Sequence, residues 1–184
     1  MDAPIVEAGL CLRAFEENDV DQFVRAVHKS TVTLGAWMPW CRPDYDAADA
    51  QAWFAQCAAN LKTALTYDLG IFSAVGAEFY GGISINQINR QHNFGNIGYW
   101  VRQSFQRRGI ATRAVRTIAA YGFNTLKLTR LEIVAAVENE ASRAVAEKAG
   151  AILECVARNR LLVNGCPMAA AVYSMVPEQL ENDH

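Results

Sequence analysis

One segment, residues 96–137, constrains the fold of this chain more than any other. A short strand at 96–102 leads through a polar loop into a helical stretch at 110–126, where apolar residues recur at helical spacing. A β-branched strand follows at 131–137. Two strands joined through a helix pair in parallel, with a right-handed crossover. The segment therefore predicts an α/β fold with one parallel strand pair.

The rest of the chain predicts a mixed sheet with helices around it. The other predicted strands lie at 10–15, 67–75, 79–88, 152–156, 160–163 and 171–176. The other predicted helices lie at 18–29, with Asn18 or Asp19 as the cap, at 47–65, and at 141–149 before Gly150. We expect a mostly antiparallel twisted sheet with one splayed parallel pair and helices on both faces. A length of 184 residues favours one domain, residues 1–184.

Composition narrows the class of protein. Hydrophobic residues make up 52% of the chain and charged residues 20%, which is typical of a globular protein. A net charge of -2 gives no reason to expect nucleic-acid or anionic-membrane partners. The five cysteines form no CxxC pair, and the N-terminus lacks the features of a signal peptide. We therefore expect reduced thiols, mostly in the core, in a cytoplasmic protein without a metal site.

The loop before the strongest predicted helix, residues 106–112, is the most informative chemical motif. A helix N-terminus presents unpaired backbone N–H groups and partial positive charge, so it binds anions. Gly109 removes a side chain where a ligand approaches, and Arg107 and Arg108 add positive charge. The loop matches neither GxxxxGK[ST] nor GxGxxG. A pyrophosphate is the natural occupant; the alternative is an ordinary helix start with two solvated arginines.

The segment Gln106-Arg-Arg-Gly-Ile-Ala111 resembles the Q/R-x-x-G-x-G/A acetyl-CoA signature of the GNAT N-acetyltransferase superfamily. Three further stretches extend the resemblance over the chain. The first is L-x-x-W-x-P-W, formed by Leu34, Trp37, Pro39 and Trp40, and the second is N-x-x-S-x-x-V-x-x-K-x-G, formed by Asn139, Ser142, Val145, Lys148 and Gly150. The third consists of the closing strands around 163–165 and 172–174. These resemble the branch of ribosomal-protein-serine and ribosomal-protein-alanine N-terminal acetyltransferases. The resemblance implies a GNAT-like fold and acetyl-CoA as co-substrate.

It also implies roles for individual residues. The main chain of Val101 would hydrogen-bond the pantetheine arm, and Asn139 would bind the same arm or the cofactor backbone. The alternative for Asn139 is simple helix capping. Ser142 would lie near the thioester sulfur, where it could protonate or hydrogen-bond the departing thiolate, directly or through water. The alternative for Ser142 is an ordinary polar residue in the first turn of a helix. The residues expected to hold the pyrophosphate are Gln106, Arg107, Arg108, Gly109, Ile110, Ala111 and Thr112.

The general base is harder to assign. Some relatives in this branch carry a glutamate where this chain has Leu161. The weaker candidates that remain are Glu138, Glu154, His92, Tyr99 or a group of the substrate. Trp37, Trp40 and Trp53 could wall an acceptor cleft or anchor an irregular loop in the core.

The leading hypothesis is an acyltransferase that moves an acetyl group to a primary amine by direct attack in a ternary complex. The acceptor we favour is the N-terminal α-amine of a protein or peptide, as in ribosomal-protein acetyltransferases. One alternative acceptor is a small amine, such as an antibiotic or an aminoacyl conjugate. Another hypothesis is an acetyl-CoA-binding sensor that has lost catalysis, which the departure at Leu161 keeps open. A homodimer is possible by family analogy.

Overall fold

Eight strands form one sheet in the computed structural model, which describes residues 3–74 and 78–177. The strands are β1 (Ile5–Glu7), β2 (Leu10–Arg13), β3 (Tyr67–Ser73), β4 (Phe79–Asn89), β5 (Phe94–Val101), β6 (Arg130–Ala136), β7 (Ile152–Val163) and β8 (Cys166–Met175). The α-helices are α1 (Val20–His28), α2 (Thr31–Leu34), α3 (Ala47–Lys62), α4 (Ile110–Asn124) and α5 (Glu140–Ala149). The strand order is β1-β2-β3-β4-β5-β6-β8-β7. Within the described residues β5 and β6 are parallel, and the other neighbouring strands are antiparallel.

The two faces of the sheet carry separate apolar clusters. On one face, α4 packs against aliphatic residues of the central strands, including Ile85, Ile97 and Leu131. Gly122 permits the close approach of this helix, because a Cβ there would lie 2.9 Å from a methyl group of Leu131. On the other face, α1 and α3 cover a cluster of aromatic rings that includes Phe23, Phe54, Phe72 and Phe79. The prediction of a mixed sheet with helices on both faces is confirmed.

Several boundaries differ from those that the sequence predicts. β1 and α2 were not predicted, since both are single short pieces without a readable period. The strands expected at 152–156 and 160–163 are one strand, β7, with a register shift against β8 between residues 157 and 161. The helix expected at 47–65 ends at Lys62. The strand expected at 67–75 ends at Ser73, and residue 75 lies outside the described residues.

The start of α1 corrects a predicted cap. Asp19 precedes the helix, but its side chain makes no capping hydrogen bond. It accepts two hydrogen bonds from the guanidinium of Arg13 at 2.7 and 2.8 Å, one from the Glu16 amide and one from Gln22. Asp19 is 3% exposed, so this ion pair is well shielded from water. The carboxylate therefore ties α1 to β2.

Asp19→Asn is expected to lower the free energy of unfolding by about 3 kcal/mol near neutral pH, because Arg13 loses its buried partner. Burial by itself raises the pKa of Asp19, but the hydrogen bonds from Arg13 and Glu16 outweigh it and hold the pKa below its ordinary value near 3.8. The stabilisation is thus present above about pH 4 and is lost as the pH falls below that value. Urea unfolding at about pH 7 and about pH 3 measures both effects. The exposed Asp21→Asn serves as the control; an equal loss in both variants would contradict the prediction.

All five cysteines are free thiols in the structure. Cys41 and Cys57 are buried, as expected, and Cys11 is half-buried. Cys155 and Cys166 are exposed, so these two are not core residues. None of the described helices has the length and apolar character needed to cross a bilayer.

Candidate functional site

The parallel strands β5 and β6 separate soon after they meet. Residues 94–96 pair with residues 130–132, and no pairing follows beyond them. A cavity of about 210 Å³, the smaller cavity below, opens in this gap. Half of the backbone N–H and C=O groups of the unpaired stretch of β5 therefore face the gap. Asn96 also lines the cavity, and its Oδ1 is buried without a hydrogen-bond partner, so the gap offers polar groups to a ligand.

Ser142 lies at the side of the smaller cavity and is held from two directions. The Asn139 side chain caps α5 by accepting a hydrogen bond from the Ser142 amide at 3.0 Å. The Tyr99 hydroxyl donates to the Ser142 carbonyl at 2.8 Å and lies 3.1 Å from Ser142 Oγ. Burial raises the pKa of Tyr99 to about 12, so its hydroxyl stays protonated at neutral pH. Two hydroxyl groups are thus fixed beside each other at the cavity wall.

The N-terminus of α4 has the features expected of an anion site. Gly109, the residue before the helix, has a left-handed backbone with φ 70°, and a Cβ there would meet nothing within 4 Å. No side chain caps the helix, and its first turn contains no acidic residue. The first N–H groups of α4 are therefore open to a ligand, in a space that a glycine keeps free. These residues fit a pyrophosphate.

The side chains of this loop are arranged in a way that the sequence did not predict. Gln106 Nε2 donates to the carbonyl of Val101 at 3.1 Å, so this side chain closes the turn between β5 and α4. Arg108 stacks on the ring of Phe105, with 4.6 Å between the guanidinium carbon and the ring centroid. Arg107 is exposed and adopts φ 62°. The Gln106 side chain therefore helps to fix the shape of the loop, and its two consecutive arginines lie at the surface.

A second cavity of about 600 Å³, the larger cavity below, lies against the aromatic face of the sheet. It shares Met38, Gly98 and Tyr99 with the smaller cavity, so the two meet at β5. Its aromatic lining residues are Phe15, Phe23, Trp40, Tyr45, Trp53, Tyr99 and Trp100. A molecule in the larger cavity can therefore reach the gap between β5 and β6.

The three tryptophans proposed for the acceptor cleft divide between the cavities. Trp40 and Trp53 line the larger cavity, and both are partly exposed. Trp40 also packs edge-on against Trp100, with 5.5 Å between ring centroids, so it belongs to the aromatic cluster as well. Trp37 lines the smaller cavity. Trp40 therefore lines a cavity and contacts the aromatic cluster at the same time.

The structure separates the candidates for the general base. Leu161, the position at which the resemblance implies a glutamate in some relatives, lines the smaller cavity. Glu154 is bound by Arg130 and by the Ser174 hydroxyl; the hydrogen bonds from Arg130 and Ser174 lower its pKa to about 2, so it is a very weak base. Glu138 and His92 are exposed and line neither cavity. Of these candidates, the structure brings only Tyr99 next to Ser142.

Asp68 and Trp100 are among the residues of the larger cavity that sequence reasoning missed. Asp68 is the one charged residue in β3, whose sequence is otherwise Tyr, Leu, Gly, Ile, Phe and Ser. A single carboxylate in an otherwise apolar strand is a sequence signal that could have identified Asp68 as a candidate site residue. Trp100 lies in the Gly98-Tyr-Trp stretch, where alternation places it on the face opposite to Tyr99.

Comparison with known proteins agrees with this geometry. The family model for the acetyltransferase (GNAT) domain matches residues 9–152. A Bacillus subtilis (strain 168) protein provisionally named ribosomal N-acetyltransferase YdaF is 30% identical, over 97% of each chain. A Vibrio cholerae structure provisionally named ribosomal-protein-serine acetyltransferase is 32% identical with a TM-score of 0.85, covering 96% of this chain and 98% of that one.

A third structure, of RimL ribosomal α-N-protein acetyltransferase in complex with coenzyme A, has a TM-score of 0.84. It is 24% identical, covers 94% of this chain and 96% of that one, and supports the fold alone. The family model spans well over half of the chain, and the open α4 N-terminus and the β5–β6 gap are in place for a nucleotide thioester. The chain therefore belongs to the GNAT acetyltransferase family and is an N-acetyltransferase that uses acetyl-CoA.

Proposed function

We propose that this enzyme, acting as a single domain in the cytoplasm, acetylates the N-terminal α-amine of a protein or peptide. The observation that carries the proposal is the chemistry of the smaller cavity. None of the described residues that line it is Asp, Glu or His. Neutralising an α-amine at pH 7 costs about 1.4 kcal/mol, whereas a lysine side chain costs about 4.6 kcal/mol. A site without a strong base therefore favours an α-amine, which also agrees with the printed names of the full-length relatives.

In this proposal, different parts of the chain bind the pyrophosphate, the pantetheine arm and the acceptor. The first N–H groups of α4 bind the pyrophosphate of acetyl-CoA, and Gly109 leaves room for it. The unpaired edge of β5 up to Val101, together with the side-chain amide of Asn139 at the cavity wall, binds the pantetheine arm. The acceptor enters from the larger cavity and meets the thioester near Gly98. Holding both reactants in this way supplies about 7–11 kcal/mol of the barrier reduction.

Ser142 and Tyr99 then act on the leaving group. The acceptor nitrogen attacks the thioester carbonyl, the C–S bond breaks, and coenzyme A leaves as a thiolate that must gain a proton. The Tyr99 proton is directed at the Ser142 carbonyl, so Ser142 Oγ is the donor in the 3.1 Å contact between the two hydroxyls. When the thiolate forms, the Ser142 hydroxyl turns from the neutral Tyr99 oxygen to the charged sulfur and gives up its proton there. The proton lost by the amine passes to solvent water or to a group of the substrate, since the smaller cavity has no acidic or imidazole side chain among its described residues.

The test is acetyl transfer to three versions of one peptide that contains an internal lysine. The first version has a free N-terminus, the second has a blocked N-terminus, and the third has a free N-terminus with the lysine replaced by norleucine. We expect thiol release with the first and third versions and acetyl on the α-nitrogen by mass spectrometry. The rate should rise towards the α-amine pKa near 8, as the neutral amine accumulates.

Two outcomes would contradict the proposal. Acetylation of the blocked peptide at lysine would show that the α-amine is not the acceptor. Binding of acetyl-CoA without transfer to any peptide or small amine would support the sensor hypothesis.

A further inference from the structure

Asp68 is a carboxylate in the larger cavity for which the described residues provide no counter-ion. It projects from β3 and accepts a hydrogen bond from the Thr66 hydroxyl. Within residues 3–74 and 78–177, no arginine, lysine or histidine pairs with it. Burial raises its pKa, with only the Thr66 hydrogen bond acting in the other direction. Shielding a carboxylate from water without a cation nearby costs free energy. A positively charged ligand in the cavity would supply the counter-ion that Asp68 lacks.

The other charges that line the larger cavity do not offset Asp68. Arg42 is paired with Asp49 at 2.6 Å and with Asp44 at 2.8 Å, so its positive charge is already matched. Asp49 is engaged by Arg42 and by the Asp46 amide. The lining therefore carries one carboxylate more than it has cations, which favours a positively charged ligand.

The walls around Asp68 also suit a cation. One side of α3 faces the cavity with Asp49, Ala52, Trp53 and Gln56, at the spacing of a single helical face. The rings of Trp40 and Tyr45, 6.1 Å apart between centroids, line the same cavity. Aromatic rings attract ammonium and guanidinium groups through the negative faces of their π-systems, and Arg42 already lies over Tyr45 in this way. The cavity therefore combines an unpaired carboxylate with aromatic walls.

The sheet register sets the distance from Asp68 to the reaction site. Asp68 lies opposite Ser84 on β4, and Ser84 lies opposite Gly98 on β5, where the two cavities meet. Two inter-strand spacings place Asp68 about 10 Å from Gly98. This is too far for Asp68 to deprotonate an amine that attacks beside Gly98 by direct contact. It is the right distance for binding a second group of the same acceptor.

We propose that Asp68 selects acceptors that carry a second cationic group roughly 7 Å from the nitrogen that is acetylated, which is the cross-sheet distance less one ion-pair contact. This rests on the proposed function and specifies its substrate class. A peptide whose first residue is lysine has this chemistry, because its side-chain ammonium lies several bonds from its α-amine. A free α,ω-diamine has the same chemistry without the peptide.

The experiment compares acceptors that carry a second cationic group, called charged below, with acceptors of similar shape that lack it, called neutral below. In the peptide pair, one peptide begins with lysine and the other begins with norleucine. The internal lysine is replaced in both peptides. The small-molecule pair is 1,4-diaminobutane and butylamine. We expect wild-type kcat/KM to be at least about tenfold higher for the charged member of a pair, which corresponds to about 1.4 kcal/mol. A preference in the peptide pair alone identifies a peptide acceptor, and a preference in the diamine pair alone identifies a small amine.

Asp68→Asn then assigns the preference to this carboxylate. The variant should lower kcat/KM for the charged acceptor to the level of its neutral partner and leave the neutral acceptor unchanged. Asp21→Asn removes an exposed carboxylate of α1 and should keep the preference. Thermal unfolding of Asp68→Asn should occur at or above the wild-type temperature, because a desolvated charge is removed. Should this variant fail to fold, Asp68→Ser provides the same comparison.

The outcomes separate this inference from the proposed function. Equal kcat/KM for the two members of each pair in the wild type would overturn the role of Asp68 and leave α-amine acetylation standing. An equal fall for charged and neutral acceptors in Asp68→Asn would show a structural role instead. Failure of transfer to every amine would overturn the proposed function itself.

Discussion

Gly109→Trp is expected to weaken acetyl-CoA binding by at least about 100-fold, or about 2.7 kcal/mol. In the proposed function the open N-terminus of α4 binds the pyrophosphate through backbone N–H groups, and hydrogen bonds to charged groups contribute about 1.5–3 kcal/mol each. An indole at Gly109 occupies the space in which a Cβ now meets nothing within 4 Å. Titration calorimetry of the purified variant with acetyl-CoA measures the loss directly.

The matched control for this substitution is Gly150→Trp. Gly150 also has a positive φ, 100°, and an equally empty surrounding, but it lies at the other end of α5 from Asn139. Both tryptophans impose a left-handed residue at a cost of about 1–2 kcal/mol, so both variants should unfold at lower temperature. Only the Gly109 variant should lose the cofactor. Binding by Gly109→Trp within a few-fold of wild type would show that the pyrophosphate lies elsewhere.

Ser142→Ala and Tyr99→Phe are each expected to lower kcat by about 100-fold, within the range of a lost proton donor, with acetyl-CoA affinity nearly unchanged. Ser142→Ala removes the hydroxyl that we propose as the proton donor to the thiolate. Tyr99→Phe removes the donor that occupies the Ser142 carbonyl, so the Ser142 hydroxyl loses its fixed orientation. Because the two groups act through one contact, the double variant should be little worse than either single variant. Single-turnover kinetics with saturating acetyl-CoA measure the chemical step.

Tyr80→Phe is the control for the lost phenolic hydroxyl. Tyr80 lies on β4, packs on Phe105 and lines neither cavity, so kcat should not change. Additive losses in the Ser142 and Tyr99 double variant would mean that the two hydroxyl groups act independently. An unchanged kcat in Ser142→Ala would mean that water, and not Ser142, protonates the thiolate.

Local sequence patterns predicted the part of the site that we assign to the cofactor. The apolar period of α4 and a single glycine before it predicted an anion-binding helix start, because these properties belong to one continuous stretch of chain. The parallel pair of β5 and β6 was predicted for the same reason, since the connecting helix is itself part of the sequence pattern. Helix capping by Asn139, which spacing alone favoured, is present.

The acceptor end was decided by contacts between distant parts of the chain. Alternation along β3 places Asp68 on one face, but only the packing of α3 shows that this face lines a cavity. Tyr99 and Ser142 lie 43 residues apart in the sequence but are in contact in the structure. Glu154 is a poor candidate for the general base because Arg130 lies 2.6 Å from it, which the sequence does not show. The sequence by itself determined the sheet, its parallel pair and the cofactor loop, because these follow from local period and helix-end chemistry. Only the tertiary structure decided which side chains line the two cavities, because burial, ion pairing and cavity shape arise where separate elements pack together.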